Sequence, residues 1–548
     1  MISCVVFAIP VAVMSRPEFP AMPTDSLMTH LQQLQPFDEH NQHLQASVAP
    51  PDWKNPTPTG RYHLVVIGAG TAGLVTAAGA AGLGARVALV ERELMGGDCL
   101  NVGCVPSKAI IEAARTADAI RRGREFGFEI DGVVEADFSL VMDRMRRVRA
   151  SIGPHDAAKR FAELGVDVYF GDAAFVGTDG VQVGDLILKY KRAVICTGAR
   201  AADLSIPGLQ EVGALTNETV FSLTELPPRF AVIGAGPVGC EMAQSFARFG
   251  SKVTLFESSN SILAREDREA AKVVQDSMTA DGVHFEFRAT ATGMTQSSDG
   301  TTVSFLQDGS ERSVVVDKVL VGIGRTPNVH GIGLEEVGVR FDAASGVEVN
   351  DRLQTTNPKI YAAGDVCSRY KFTHAADFMA RIVIQNTLFW GCAKTSGLTI
   401  PWCTYTSPEL AHVGMQPHEA ASQGVEIDTY LVSFRDVDRS VLSGETEGFV
   451  KAHVRKGTDE ILGATIVASH AGDMIGEITL AMTLNASVPR WKRLMRLQRG
   501  VGLSALGSTI HPYPTEAEAI RKLGDQYNRT RLTPLVRRLL QTWLRWTG

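Results

Sequence analysis

Residues 63–91 contain an apolar strand, a glycine-rich turn, a helix and a second strand, in that order. The first strand leads into Gly68, Gly70 and Gly73, and the second ends at Glu91. In such a unit the first glycine permits a tight turn, the second lets the backbone approach a pyrophosphate, and the third lets helix and strand pack closely. The pyrophosphate binds free N–H groups at the helix N-terminus, and the acid accepts hydrogen bonds from a ribose. This pattern predicts a dinucleotide-binding βαβ fold.

The same pattern returns between residues 230 and 257. Its glycines are Gly234, Gly236 and Gly239, and its acid is Glu257. One glycine motif is a weak signal because glycine-rich turns are common, but two motifs in complete βαβ frames are a strong signal. The alternative is one working site with one decayed repeat. We therefore predict an α/β chain with two Rossmann-like domains and two bound dinucleotides.

Length and composition limit the class of protein. A chain of 548 residues is too long for one hydrophobic core, and 45% hydrophobic with 21% charged residues is ordinary for a soluble globular protein. A net charge of −6 lacks the basic footprint of a nucleic-acid-binding protein. No apolar run reaches about 18 residues, so we expect no membrane partner and a cytoplasmic location.

The N-terminal 60 residues lack hydrophobic periodicity and are rich in Pro, Gln and His, which predicts a poorly ordered extension. Residues 2–14 are apolar, but they are too short to span a bilayer and no basic residue precedes them. They fit either a signal peptide or an extended start, since Met22 and Met28 are also available. Whether residues 1–27 belong to the mature protein stays open.

A more specific motif follows the first βαβ unit. Segment 96–108 contains Cys99 and Cys104, followed by Pro106 and Lys108. Four residues separate the cysteines, a spacing compatible with a disulfide across the first turn of a helix, where the helix dipole favours a thiolate. A zinc site would need a second pair, and a structural disulfide does not suit a cytoplasmic chain. The segment predicts a redox-active cysteine pair.

From about Pro401 the pattern changes to alternating strands followed by helices, which predicts a separate α+β domain. Together with the two βαβ units and the cysteine motif, it resembles the class I pyridine nucleotide-disulfide oxidoreductases, over about Tyr62 to Lys522. The resemblance implies a homodimer of FAD-binding, NAD(P)-binding and dimerisation domains. It also implies that each active site is completed by the partner subunit.

On this basis the chain divides into a poorly ordered extension (1–60), an FAD-binding domain (61–215 and 351–400), an NAD(P)-binding domain (216–350), a dimerisation domain (401–525) and a C-terminal helical tail (526–548). In the tail, apolar residues recur at helical spacing with arginines between them. That pattern predicts a surface or interface helix without any membrane.

The resemblance also implies roles for individual residues. Cys104 corresponds to the thiol that lies against the flavin, and Cys99 to the outer thiol that meets the substrate. Lys108 lies near the flavin and pairs with Glu241. The FAD-binding positions are Gly68, Gly70, Gly73, Glu91, Thr197, Gly198 and Asp365. The segment that begins at Gly324 and Arg325 links the nicotinamide domain back to the flavin.

The resemblance implies that the second dinucleotide is a nicotinamide nucleotide, bound at Gly234, Gly236, Gly239 and Glu257. An acid at the end of the second strand favours the free 2′-hydroxyl of NADH and repels the 2′-phosphate of NADPH. Residues 258–260 supply no arginine for that phosphate, although Arg265 is near. We expect NADH rather than NADPH.

The chain departs from the family at its catalytic histidine. Aligned on Pro514, the histidine position is Tyr513, and the glutamate that would orient it is Glu518. Two residues earlier, the chain keeps another histidine of the family pattern, His511. A tyrosine with an ordinary pKa near about 10 is a poor base at neutral pH, so efficient dithiol turnover is doubtful.

Tyr513 resembles the mercuric reductase members of the family, in which Cys99, Cys104 and Tyr513 would hold Hg²⁺ transiently as substrate. Soft Hg²⁺ prefers linear dithiolate ligation. The sequence shows no cysteine pair near its C-terminus and only Cys4 near its start, so metal delivery is unexplained. A dihydrolipoamide dehydrogenase-type disulfide reductase with His511 as base, or an NAD(P)H:quinone reductase, are the alternatives. The basic stretch 486–499 predicts a surface loop or a contact for an anionic partner.

Overall fold

The computed structural model describes residues 34–129, 135–202, 205–487 and 501–548. Residues 1–27, and all the basic residues of the stretch 486–499, lie outside these ranges.

A mixed sheet forms the centre of the first domain. Its middle strands are near-continuous apolar runs, because parallel strands covered on both faces bury every side chain. Val66, for example, is buried and lies in register with Leu89 on one side and Val194 on the other. Numbered along the chain, the strands are β1 (Arg61–Ile67), β2 (Val87–Glu91), β3 (Val166–Phe170), β4 (Ala173–Val176), β5 (Gly180–Val183), β6 (Leu186–Ile195) and β18 (Ile360–Ala362).

The order across this sheet is β3-β2-β1-β6-β5-β4, and β18 also pairs with β6. The pairs β1–β2, β2–β3, β1–β6 and β18–β6 are parallel, whereas β5 is antiparallel to both of its neighbours, β4 and β6. The helices of this part of the chain are α1 (Glu39–Val48), α2 (Thr71–Gly82), α3 (Gly97–Asn101), α4 (Cys104–Arg122), α5 (Phe138–Ile152), α6 (Ala158–Glu163) and α9 (Thr373–Leu388).

The sequence predicts that residues 1–60 are a poorly ordered extension, and helix α1 corrects that prediction for the described part from residue 34; residues 1–33 lie outside the described residues. Its Leu44 and Val48 are fully buried in the core of the first domain. On α5, the Arg149 guanidinium donates to Asn41 Oδ1 at 2.7 Å and to the carbonyl of Asn101 at 2.6 Å. Polar contacts distant in sequence therefore order a segment whose local composition predicted disorder.

A second sheet is wholly parallel and has the order β10-β9-β8-β14. Its strands are β8 (Arg229–Ile233), β9 (Lys252–Glu257), β10 (His284–Phe287) and β14 (Lys318–Val321), with helices α7 (Pro237–Phe249) and α8 (Arg268–Ala280). An antiparallel sheet accompanies it, made of β11 (Ala289–Ser297), β12 (Gly300–Gln307) and β13 (Ser310–Val316). Two short pairs complete the region: β7 (Ala199–Ala201) with β15 (Arg325–Pro327), and β16 (Phe341–Asp342) with β17 (Gly346–Val347).

The C-terminal part is an antiparallel sheet with helices, in the order β19-β20-β23-β22-β21. The strands are β19 (Pro401–Thr404), β20 (Glu409–Gly414), β21 (Ile427–Ser433), β22 (Phe449–Arg455) and β23 (Ile461–Ala468). The helices are α10 (Pro417–Ser422), α11 (Asp438–Leu442), α12 (Ala471–Ser487), α13 (Leu503–Leu506), α14 (Glu518–Thr530) and α15 (Pro534–Thr547).

The predicted fold class is confirmed: an α/β chain with two dinucleotide-type sheets and a C-terminal α+β unit. The exact domain boundaries stay predictions. In the described ranges, no helix is both long and apolar enough to cross a bilayer.

Candidate active site

In each glycine turn, the third glycine allows close packing and the second leaves the backbone open to a ligand, as a dinucleotide-binding turn requires. A Cβ on Gly73 would lie 1.8 Å from the carbonyl oxygen of Gly68, so the third glycine allows helix α2 to pack against the turn. A Cβ on Gly70 would meet only Gly97, at 3.8 Å, so the backbone there is open to a ligand. The residues thus fit a pyrophosphate at the N-terminus of α2.

The second turn repeats this geometry. A Cβ on Gly239 would lie 1.9 Å from the carbonyl oxygen of Gly234, whereas one on Gly236 would meet only Gly322, at 3.9 Å. Gly234 has a φ of +102°, which favours glycine. Both predicted glycine sets therefore form equivalent cradles, at α2 and at α7.

The two terminal acids hold their turns in the same way. Glu91 Oε2 accepts from the N–H of Ala69 at 2.7 Å, and Glu257 Oε2 accepts from the N–H of Ala235 at 2.9 Å. Burial raises the pKa of the Glu91 carboxyl. Burial also acts to raise the pKa of Glu257, but hydrogen bonds from Ser259, Ala235 and Ser258 outweigh it and lower that pKa. Glu257 is therefore a carboxylate, the form that accepts from ribose hydroxyls.

The predicted wall of the first site assembles from two parts of the chain that are distant in sequence. The Thr197 hydroxyl donates to the carbonyl of Asn328 at 2.7 Å, and the N–H of Asn328 donates to the carbonyl of Gly198 at 3.0 Å. Because β15 pairs with β7, Gly324 and Arg325 lie beside this wall.

Arg325 connects this wall to helix α3, which contains Cys99. Its guanidinium contacts Asp98 and lies 3.5 Å from Asp365 Oδ2. Burial raises the pKa of the Asp365 carboxyl, and Arg325 opposes that rise. The structure therefore brings Asp365 and Arg325 together, and adds Asp98, which the sequence analysis did not single out.

The cysteine pair spans two helices, which corrects the expected placement across the first turn of one helix. Cys99 lies within α3, whereas Cys104 is the first residue of α4. The chain turns between them at Gly103, where a Cβ would lie 2.7 Å from the carbonyl oxygen of Asp98. Cys104 is thus the thiol at the positive end of the 19-residue helix α4.

The two thiols interact with each other, and their pKa values shift in opposite directions. A hydrogen bond from Cys99 lowers the pKa of Cys104, although burial opposes it. The same bond raises the pKa of Cys99, and burial adds to the rise. The hydroxyl of Thr373, the first residue of α9, lies 3.4 Å from Cys104 Sγ and donates to it when Cys104 is a thiolate. Cys104 is therefore the thiolate of the pair.

Lys108 and Glu241 join three parts of the chain behind Cys104. Lys108 Nζ on α4 lies 2.9 Å from Glu241 Oε2 on α7, as the resemblance implied. Glu241 Oε1 accepts from the N–H of Tyr405 at 2.9 Å, and Lys108 Nζ lies 4.5 Å from the centre of the Tyr405 ring. Burial acts to lower the pKa of Lys108, but Glu241 outweighs it and raises that pKa. Lys108 is therefore a cation, and it lowers the pKa of Cys104.

The Tyr513 segment lies on the C-terminal unit, and its contacts differ from those expected. The Tyr513 side chain is 72% exposed, and its hydroxyl donates to Asp438 Oδ2 at 2.8 Å. Glu518, expected to orient Tyr513, instead pairs with Arg521 at 2.7 Å. His511 Nε2 lies 3.0 Å from Glu477 Oε2, and its side chain is only 7% exposed. Within the described residues of one chain, this segment makes no hydrogen bond or ion pair with Cys99 or Cys104, so a single chain does not bring these groups together.

Sequence reasoning missed Thr373, Tyr405, Asp438 and Glu477. For Thr373 a signal exists, because it begins helix α9 shortly after β18 and Asp365. Tyr405, Asp438 and Glu477 are set by packing between distant segments and have no local signal. Among the described residues, no cluster of His, Cys, Asp and Glu forms a resident metal site.

Comparisons with known proteins agree with this arrangement. The family model "Pyridine nucleotide-disulphide oxidoreductase" matches residues 62–380, and its "dimerisation domain" model matches residues 400–523. A mercuric reductase of Staphylococcus aureus is 32% identical over 487 residues, covering 89% of this chain and 85% of that protein. A dihydrolipoyl dehydrogenase of Bacillus subtilis is 33% identical over 479 residues, covering 84% of this chain and 96% of that protein.

Solved structures are similar as well. The HOCl-induced flavoprotein disulfide reductase RclA from Escherichia coli has a TM-score of 0.73 and 27% identity, covering 85% of this chain and 99% of that one. Its Cu(II) complex has the same TM-score and identity, covering 85% of this chain and 100% of that one.

Proposed function

The chain belongs to the pyridine nucleotide-disulfide oxidoreductase family, and we propose that within it the enzyme reduces Hg²⁺ to Hg⁰ with NADH. The family assignment makes it an FAD-dependent, NAD(P)-dependent oxidoreductase. Relatives named mercuric reductase and dihydrolipoyl dehydrogenase are about equally similar, so the acceptor must be argued from the site.

The observation that carries the proposal is Tyr513. It stands next to Pro514 where the disulfide reductases have their histidine, and its hydroxyl already donates to Asp438. That hydrogen bond raises the pKa of Tyr513, so the hydroxyl keeps its proton at neutral pH. A protonated tyrosine cannot take up the proton of a dithiol substrate, whereas reduction of a metal ion requires no such proton transfer.

We expect FAD to bind in the first glycine turn, at Gly68, Gly70 and Gly73 with Glu91. The wall at Thr197 and Asp365 also contacts it. When bound, it supplies the two-electron chemistry between the nicotinamide and the acceptor. We expect NADH to bind in the second glycine turn. There the Glu257 carboxylate accepts hydrogen bonds from the ribose hydroxyls and would repel a 2′-phosphate.

The substrate ion binds the two sulfurs. Hg²⁺ is soft and takes two thiolates, of which Cys104 is ready and Cys99 must lose its proton as the ion binds. Lys108 holds positive charge beside Cys104 and thereby keeps it deprotonated. The balanced reaction is Hg²⁺ + NADH → Hg⁰ + NAD⁺ + H⁺. Cys99 takes back a proton as Hg⁰ leaves, which regenerates the Cys104 thiolate and the Cys99 thiol.

The match of the dimerisation model to residues 400–523 supports a homodimer. In that dimer we expect Tyr513 of one subunit to face the cysteine pair of the other. The exposed position of Tyr513 on the C-terminal unit supports this arrangement, since a side chain that completes a partner's site must be exposed on its own subunit.

One observation favours a second candidate. His511 and Glu477 form a histidine–carboxylate pair of the kind that serves as acid–base in disulfide chemistry. A dihydrolipoamide dehydrogenase-type activity would use this pair. His511 is mostly covered by its own subunit, which is why we rank this candidate second.

The test is Hg²⁺-dependent NADH oxidation by the FAD-loaded enzyme in excess small thiol. We expect Cys99→Ala and Cys104→Ala to abolish it, because each removes one of two required ligands. Cys392→Ala is the matched control, since Cys392 is an exposed cysteine outside the site. Mercury-independent oxidation of equal rate in all three variants would show a flavin-only reductase and overturn the proposal.

A further inference from the structure

Helix α15 is exposed on every side. It begins at Pro534, beyond residue 523 where the family match ends, and none of its side chains is buried. Its apolar residues are among the most exposed in the described chain: Leu535 68%, Leu539 61%, Trp543 65%, Leu544 66% and Trp546 88%. Contiguous apolar surface of this kind marks a contact with something else.

The helix has two sharply different faces. At about 100° per residue, the apolar residues share one half of the circumference. These are Leu535, Val536, Leu539, Leu540, Trp543, Leu544 and Trp546. The other half carries Arg537, Arg538, Gln541, Thr542 and Arg545. The start of the helix is defined by Thr533, whose hydroxyl accepts from the N–H of Val536 at 3.3 Å.

The charge of residues 529–548 indicates which kind of partner this helix binds. From Arg529 to Gly548 the sequence contains five arginines and no aspartate, glutamate or lysine, on a chain whose net charge is −6. A second copy of the helix would bring the same arginines and no acid to pair with them. A helix–helix seam also uses a narrower apolar stripe than half the circumference.

We propose that α15 binds the surface of an anionic lipid bilayer and lies in its plane. The apolar half enters the boundary of the acyl chains, the arginines meet lipid phosphates, and the two tryptophans lie at headgroup level. With 14 residues the helix is too short to cross a bilayer, which needs about 20. The proposal differs from the sequence-based expectation of a surface or interface helix without any membrane.

The proposal is independent of the electron acceptor. In a homodimer the two tails act together, because binding of the first raises the effective concentration of the second at the same surface. The dimer would then carry its oxidoreductase sites at the membrane without inserting any of its folded domains.

The test uses flotation of the full-length, FAD-loaded enzyme with vesicles of phosphatidylcholine, with or without phosphatidylglycerol. We expect at least about tenfold more binding to the anionic vesicles, lost in high salt, which is the order that several basic residues near an anionic surface provide. Leu539→Gln with Trp543→Gln should lower binding about tenfold or more, and so should Arg537→Gln with Arg538→Gln and Arg545→Gln.

Gln541→Ala with Thr542→Ala is the matched control, because it alters the same helix on its polar half and should leave flotation unchanged. Lipid-free NADH oxidation, equal in all variants, shows that each is folded. If the apolar-face variant misfolds, the arginine variant and the salt dependence of the native enzyme still decide. Equal binding to neutral and anionic vesicles, or no binding, overturns the proposal. So does an apolar-face variant that changes the oligomeric state and keeps flotation, since the face would then belong to a second copy.

Discussion

Lys108 Nζ lies 2.9 Å from Glu241 Oε2, in an ion pair that links helix α4 of the first domain to helix α7 of the second. The Glu241 side chain is only 3% exposed, and it also accepts a hydrogen bond from the N–H of Tyr405 in the C-terminal unit. One carboxylate therefore ties three parts of the chain together directly behind the cysteine pair. The same pair fixes a cation where it stabilises the Cys104 thiolate.

Lys108→Met should raise the pKa of Cys104 by roughly one unit, the size of a single close charge interaction. The pKa of Cys104 is held below its ordinary value, and Lys108 contributes to that lowering. Removing the cation destabilises the thiolate, so a higher pH is needed to form it. The measurement is the pH dependence of alkylation of the reduced enzyme. Lys272→Met, at an exposed helix position, is the control and should not shift the profile; an unshifted Lys108 variant would contradict the assignment.

Thr373→Val should also raise the pKa of Cys104, by about one unit, because valine keeps the shape but cannot donate to the thiolate. Thr373→Ser keeps a hydroxyl and should retain most of the native profile. The same alkylation assay compares them. A valine variant that behaves like the serine variant would mean that the 3.4 Å contact has no electrostatic role.

Tyr513→His should add a base at the position that we propose faces the partner's cysteines. We expect lipoamide turnover to rise by about 10² or more, which is the usual contribution of a general base. Hg²⁺ turnover should fall, and Tyr513→Phe should lower Hg²⁺ turnover without raising lipoamide turnover. Steady-state rates with both acceptors give the comparison. Native lipoamide turnover that disappears in His511→Ala would instead assign the base to His511.

Arg149→Met should lower the free energy of unfolding by about 3 kcal/mol, because it removes two hydrogen bonds from a charged, buried donor. Burial lowers the pKa of Arg149 to about 10, so the guanidinium stays charged at neutral pH and the effect should be independent of pH there. Urea unfolding provides the measurement. Arg147→Met, at an exposed position of the same helix, should change the stability by less than about 0.5 kcal/mol. Equal effects of the two variants would mean that α1 is not held by Arg149.

The sequence predicted the features that depend on local backbone geometry. Gly68 and Gly73 are needed because their turn closes on itself, and such a need appears as a fixed glycine spacing. The cysteine pair was predicted, but not its division between two helices, which depends on the turn at Gly103.

The features that were missed depend on contacts between distant segments. Asn41 lies in a stretch of disordered composition, yet it is ordered by Arg149, 108 residues away. Asp438 holds the Tyr513 hydroxyl from 75 residues away. No local pattern records such pairs, because they exist only after the sheets and helices have packed.

In the proposed reaction, electrons from NADH reach a metal ion held by Cys99 and Cys104. The most direct measurement is the elemental mercury released by the FAD-loaded enzyme, collected from the gas phase and compared with the NADH oxidised in the same vessel. We expect one Hg⁰ for each NADH oxidised, and neither Hg⁰ nor NAD⁺ from the Cys104→Ala variant. NADH oxidation with lipoamide but no release of mercury would contradict it.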